Sequence, residues 1–216
     1  MDIVWLGHSS FRIKGKDASL VTDPFSPDMV GLKFPKVEAD IVTISHDHKD
    51  HNNLKGVEGN PKVVDGPGEY EIKEISIFGI HSYHDNQNGK ERGANTIYAI
   101  TIDGIKLCHL GDLGHKLSSE QISEIGTIDI LFIPVGDVYT IGPAKAVEIV
   151  SAIEPKVVIP MHYKVPGLNP ATFSELSGID DFIKETGVEP LRLDKYTVSL
   201  DKLPEERQVV VLERRA

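Results

Sequence analysis

Apolar residues in this chain come first in short bursts and later in bursts that alternate with helical stretches. Residues 2–6, 10–14 and 18–22 are β-prone runs separated by Ser-rich or Gly-Lys turns. Ala39-Asp40-Ile41-Val42-Thr43-Ile44 is nearly continuous and β-branched, the pattern of a strand buried on both faces. Further strands are predicted at 62–64, 71–80, 95–102 and 105–110, and the last two flank Asp103-Gly104, a two-residue hairpin signal. Ser118 and Gln121 fit a capping box that opens a short helix. A strand at 128–133, a helix near 143–153 beginning at Pro143, and a strand at 156–160 follow. A last helix is predicted near 171–186, ending at Gly187, and a terminal strand at 206–212. No low-complexity tract or long linker divides the pattern. It predicts one domain over residues 1–216, of α/β class, with layered sheets flanked by helices.

Composition narrows the partners. The 216 residues are 40% hydrophobic and 26% charged, ordinary for a globular protein with a real core. A formal charge of −10 advertises no broad phosphate-binding surface, so a nucleic-acid partner is not expected. Cys108 is the only cysteine and has no intramolecular disulfide partner. The N-terminal residues carry no basic, apolar leader pattern, and no stretch approaches the ~20 apolar residues of a membrane span. A cytoplasmic protein that does not enter a membrane is expected.

The chemistry lies at predicted strand ends. Ser45-His46-Asp47-His48-Lys49-Asp50-His51 follows the buried strand directly. Histidines at i and i+2 share one side of an extended chain, so His46 and His48 can grip one cation while Asp50 and His51 face a second. Neutral imidazole and carboxylate are the usual ligands of borderline divalent metals. A solvated loop with such a density of histidine and aspartate and no metal would be unusual.

His46-x-His48-x-Asp50-His51 resembles the signature of the metallo-β-lactamase superfamily. The rest of that family's pattern can be followed in order. Asp23 resembles the early aspartate that orients the metal histidines, and His84 the third histidine of a first metal site. Asp112 resembles the aspartate that bridges two metals, and His162 the last histidine of the second site. The wording of Trp5-Leu6-Gly7-His8-Ser9, Asp23-Pro24 and Ile159-Pro160-Met161-His162-Tyr163 resembles the small cytoplasmic lactonase-like branch. The resemblance implies a four-layer αβ/βα sandwich with the metals at one edge of the two sheets. It implies a first site of His46, His48 and His84, a second of Asp50, His51 and His162, and Asp112 touching both. Two metals about 3.5–4 Å apart can share a water and lower its pKa toward ~7, giving a nucleophile for a carbonyl or phosphorus. Asp50 and Asp112 are then the carboxylates of the reaction, Asp50 having a second role as proton acceptor for the leaving group.

Other residues are weighed singly. His84 is preferred to His81 because it lies on the loop side, beside Asp85. His109 stands at odd spacing from Asp112 and is expected to be buried and hydrogen-bonded. His115, on the loop leaving that strand, is read as a proton donor to substrate or as a solvent-facing residue. His8 ends the first strand in a small-residue turn. It is read as a substrate contact, an outer partner of the ligands or an extra ligand, against a structural hydrogen bond in the turn. Glu69 is read as a turn residue rather than an inner-facing carboxylate. Tyr139 and Thr140 belong to an expected substrate loop, with a helix cap as the other role for Thr140. Cys108 reads as a small buried apolar residue.

The expected cofactors are two divalent ions, zinc by default, with manganese, nickel and iron also suited to an all-nitrogen-and-oxygen set. His48 counts against the flavodiiron relatives, where glutamate commonly stands. Only 49 residues separate Asp112 from His162, too few for the inserted domain of the nucleic-acid-processing branches. The missing leader pattern weakens a secreted antibiotic-resistance role, and no helical C-terminal domain of the thioesterase kind is seen. A metal-dependent hydrolase acting on a small ester, lactone, amide or phosphoester is expected. A compact phosphodiesterase or nuclease, and a metal-binding or sensing protein without turnover, are the alternatives.

Overall fold

The structure is a computed structural model and describes residues 1–215. Two sheets face one another. The first has six strands in the order Tyr196–Thr197, Asp2–Gly7, Ser10–Lys14, Ser19–Thr22, Ile41–Thr43, Lys62–Val64. The second has eight, in the order Leu191–Leu193, Gln208–Leu212, Val157–Met161, Ile130–Pro134, Ile105–His109, Ala94–Ile102, Ile75–Tyr83, Gly68–Ile72. Each sheet is parallel in one half and antiparallel in the other.

Side-chain alternation explains the layering. Ile3 and Trp5 of the first strand point into the main core with Phe11, Ile13, Leu20 and Ile41, and meet Tyr98, Leu107 and Phe132 of the facing sheet. Val4 and Leu6 point outward with Val21 and Val42 into a second cluster, roofed by Val37, Ala39 and Val57. The outer cover there is thus loop, a 3-10 turn at Leu54–Gly56 and the small ladder Val37–Glu38 with Val57–Glu58. On the eight-stranded side, helix Pro143–Ile153 buries Ala146, Ile149, Val150 and Ile153, spaced three and four apart, and packs on helix Ile179–Thr186 and strand Ile130–Pro134. The sandwich expected from the resemblance is therefore present, with one thin outer layer. No helix among the described residues is long and apolar enough to cross a membrane.

Most predicted elements stand within a residue or two. Ser118 and Gln121 form the predicted capping box, the Gln121 amide donating to Ser118 Oγ at 3.1 Å. Two predictions fused separate elements. The strand expected at 71–80 is a hairpin, Gly68–Ile72 and Ile75–Tyr83, turning at Lys73 and Glu74 with φ of 50° and 62°. The helix expected at 171–186 is a single turn, Pro170–Phe173, and a separate helix, Ile179–Thr186, that starts after Gly178. Leu176 between them is buried with Phe173 in a third apolar cluster, which pulls the chain out of helical register.

Candidate metal centre

Chain segments that leave the strands converge on one edge of the sandwich. Thr22 and Thr43 sit side by side in parallel strands, so Asp23 and the segment 44–51 emerge together. Phe132 pairs with both His109 and Ile159 in parallel strands of the other sheet, which brings Asp112 and His162 to the same edge. The two sheets are tied there directly: the Thr96 amide donates to the Ser45 carbonyl at 2.8 Å, and the His162 amide to the His8 carbonyl at 3.2 Å.

The motif loop is not extended. Backbone bonds from His48 N to His46 O (3.1 Å), from His51 N to His48 O (2.9 Å) and from Asn52 N to His48 O (3.0 Å) curl it into consecutive turns. His46 and His48 meet through that curl, with ring centroids 4.5 Å apart, rather than through strand alternation. His84 joins them, and the facing nitrogens of His46, His48 and His84 lie within 4.8 Å of one another. A second group with the same spacing is His8, Asp50, His51 and His162, and a third is His46, His51 and Asp112. Oδ2 of Asp112 lies 3.3 Å from His84 Nε2, 3.1 Å from His51 Nε2 and 3.2 Å from His162 Nε2, so it touches both groups. Donors bound to one cation at about 2.0–2.2 Å sit about 3.0–3.5 Å apart, and these spacings match.

Hydrogen bonds fix the histidine tautomers. Asp23 Oδ2 accepts from His51 Nδ1 at 2.9 Å and from Ser45 Oγ at 2.6 Å, while Asp23 Oδ1 accepts from the Ser45 amide at 2.7 Å. Ser45 Oγ, having donated its proton, accepts from His46 Nδ1 at 2.9 Å. One carboxylate thereby aims the Nε2 atoms of His51 and His46 inward. Those two Nε2 atoms and Asp112 Oδ1 are buried without a hydrogen-bond partner. Such orphaned groups cost roughly 1–3 kcal/mol each unless something satisfies them. An all-nitrogen-and-oxygen set of this kind fits a divalent cation.

Neighbouring residues clamp the frame. Asn95 accepts from the Asp112 amide at 2.9 Å and donates to the Leu110 carbonyl at 3.0 Å. His109 donates from Nε2 to the Ser9 carbonyl at 2.9 Å and accepts at Nδ1 from the Gly111 amide at 3.2 Å, joining the His8 turn to the Asp112 loop. His8, Asp23 and His162 all hold left-handed backbone, with φ of 52°, 37° and 53°. Aspartate and histidine tolerate that region better than most residues, yet each instance costs about 1–3 kcal/mol.

The electrostatics separate the histidines. Burial pushes His8 down to about 4 and, with the neighbouring His51, His46 down to about 3, so both are neutral at pH 7. His51 behaves oppositely: burial works against its charge, but Asp112 and Asp50 outweigh it and raise its pKa well above the usual value. Asp112 is also opposed by burial and is held well below the carboxylate range by His162 and His51.

The remaining candidates sort clearly. His81 is exposed, and its carbonyl accepts from Gln121, so the structure brings His84 and not His81 to the cluster. His115 accepts at Nε2 from the Tyr83 amide at 3.1 Å and lies outside the cluster, neither free in solvent nor on the cavity wall. Tyr139 does line the cavity, its hydroxyl donating to Thr172 O at 2.8 Å. Thr140 is not a helix cap, because Gly142 holds that position. Glu69 lies in a strand, opposite Phe78, and away from the site. Cys108 is buried, and burial pushes its thiol pKa up. Sequence reading missed Ser45, Asn95 and Arg92. Arg92 extends over the Tyr139 ring at 5.7 Å, on a loop whose backbone amides at Gln87, Gly89, Glu91 and Arg92 all donate to Asp85.

A layered sandwich with paired histidine and aspartate clusters at one edge defines a class, and comparison with known proteins agrees: the chain belongs to the β-lactamase superfamily domain family, matched over residues 2–162. Among curated relatives it is similar to a UPF0173 metal-dependent hydrolase of Thermococcus onnurineus, 31% identical over 206 residues that cover 81% of this chain and 91% of the relative. A relative of the same description from Archaeoglobus fulgidus is 30% identical, covering 76% and 83%. A crystal structure from Thermotoga maritima, described as a candidate Zn-dependent hydrolase of the metallo-β-lactamase superfamily, is 39% identical. It matches with a TM-score of 0.82 over 99% of both chains.

Proposed function

We propose that this protein is a two-metal hydrolase acting on a small, anionic ester, lactone, amide or phosphoester. The observation that carries the reading is the convergence of unpartnered buried His46 Nε2 and His51 Nε2 on Asp112. His46, His48 and His84 would hold one ion, Asp50, His51 and His162 the other, and Asp112 both. Zinc is the default, and manganese, nickel and iron suit the same donors. When bound, such ions lower the pKa of water and polarise the substrate oxygen that gains charge.

The chain's own residues do the rest. Asp23, through His51 and Ser45, keeps the imidazoles in the tautomer a cation requires. Asp50 lines the cavity above the cluster, so its carboxylate is available to take up a proton as the leaving group departs. That cavity, about 510 Å³, is of the size that takes a small molecule rather than a polymer. Met29, Tyr139 and Phe173 give it apolar walls, and Arg92 and Lys49 supply cationic groups for a carboxylate or phosphate. A cytoplasmic setting is part of the reading, supported by the single buried, unpaired cysteine.

Metal analysis of the purified protein, paired with a panel of lactones, phosphoesters, amides and esters, tests this. Turnover should vanish in both His48→Ala and Asp112→Ala. Activity that survives both changes would overturn the mechanism.

A further inference from the structure

We propose that His8 is itself a metal ligand, which makes the second site a five-donor site unlike the first. The inference rests on the two-metal reading above. Nε2 of His8 lies 3.3 Å from Asp50 Oδ2, within the spacing of two donors on one cation, and its ring centroid is 4.1 Å from that of His162. The ligating atoms of His8, Asp50, His51 and His162 all fall within 4.8 Å of one another.

A purely structural histidine looks different in this same molecule. His109 has both ring nitrogens satisfied by backbone groups. His8 instead shares the pattern of His84 and His162: Nε2 points toward a carboxylate, and Nδ1 is buried with no partner. The backbone is built to aim it. The left-handed turn at His8 is pinned by its carbonyl, which accepts from Trp5 Nε1 at 2.9 Å and from the His162 amide at 3.2 Å. Trp5 is held in turn by stacking on Tyr163 at 5.2 Å. Phe173, with its ring centroid 5.2 Å from that of His8, walls the imidazole from solvent.

Coordination chemistry then separates the two sites. His46, His48 and His84, with Asp112 Oδ2 3.3 Å from His84 Nε2, would offer four donors, the coordination number zinc usually takes. His8, His51, His162, Asp50 and Asp112 would offer five nitrogen and oxygen donors, more than zinc usually takes, and such a set would suit manganese or iron better. The second site should therefore bind manganese more tightly than the first, and should lose that preference without His8.

The test compares wild type, His8→Ala and His8→Gln by manganese titration and by proton NMR of the cobalt(II)-loaded protein. Each bound histidine contributes one hyperfine-shifted exchangeable imidazole proton, so His8→Ala and His8→Gln should each lose one such signal relative to wild type. Manganese affinity should fall by more than the roughly 10–100-fold that losing an outer partner costs. Glutamine can still donate to Asp50 but is a poor ligand, so it should not restore binding. An unchanged signal count, or wild-type manganese affinity in His8→Gln, would show that His8 only positions Asp50 and would overturn the proposal. Wild-type protein that binds no metal at all would overturn the two-metal reading itself, a separate result.

Discussion

Nδ1 of His51 donates to Asp23 at 2.9 Å, and Asp23 also holds Ser45, which holds His46. A residue in the loop after the third strand thus sets the tautomer of one histidine in each proposed site. Asp23→Asn should keep the fold and weaken metal binding by about 10–100-fold, read by competition with a chromophoric chelator. Unchanged affinity would mean that the imidazoles are oriented by packing alone.

Metal binding should release a proton from His51. Asp112 and Asp50 overcome burial and keep this ring protonated in the metal-free protein at neutral pH, and a cation on Nε2 must displace that proton. His8 and His46 are already neutral and contribute none. Apparent affinity should rise as pH increases through neutrality. Calorimetric titration in buffers of different ionisation enthalpy would detect the proton, and identical heats in all of them would exclude it.

Acid should destabilise the metal-free protein between about pH 6.5 and pH 4. Unfolded histidine binds a proton near pH 6.5, whereas folded His8 resists until about 4 and His46 until about 3, so the stability they contribute above pH 6.5 is lost on acidification. His51 has a raised folded pKa, so its contribution is complete below pH 6.5 and does not offset the loss. Each depressed histidine adds about 1.4 kcal/mol per pH unit to the slope. Urea midpoints of metal-free His8→Gln should fall less steeply over this window than those of wild type.

Gly136→Ala should damage the site from below. A Cβ there would stand 1.9 Å from the His162 carbonyl oxygen, which is backbone and cannot swing away. A loss of about 1–3 kcal/mol in stability, with weaker metal binding, is expected. Gly66→Ala, with nothing near its Cβ, serves as the neutral control in the same thermal melts.

Arg92→Ala should raise KM for anionic substrates by about tenfold or more while leaving kcat near wild type, because the guanidinium reaches the cavity but not the metal cluster. Neutral substrates of the same shape should show no change. Equal losses on both would assign Arg92 to loop structure.

The candidate metal-binding segment was legible because its chemistry is local: His46, His48, Asp50 and His51 lie within six residues of chain. Asp23, Asp112 and His162 could be found because each follows a readable strand. The odd spacing of His109 from Asp112 marked it as buried and hydrogen-bonded, which it is. Ser45 and Asn95 could not be found, since their roles depend on contacts between distant segments, such as that of Asn95 with Asp112, and no short-range pattern marks them. The hairpin at Lys73-Glu74 escaped because it turns without glycine or asparagine, and tertiary burial of Leu176 overrode a helical pattern that reads as continuous.

Strand Asp2–Gly7, which carries His8 at its end, has Tyr196–Thr197 as its outer neighbour, and His8 meets His162 across most of the chain. Contacts of such separation close slowly, because loop entropy must be overcome before any packing rewards it. The side chains of the candidate site should therefore gather only near the end of folding. Denatured protein returned to native conditions should regain its strands before it can retain a metal, and chelators present during that interval should not slow the earlier phase.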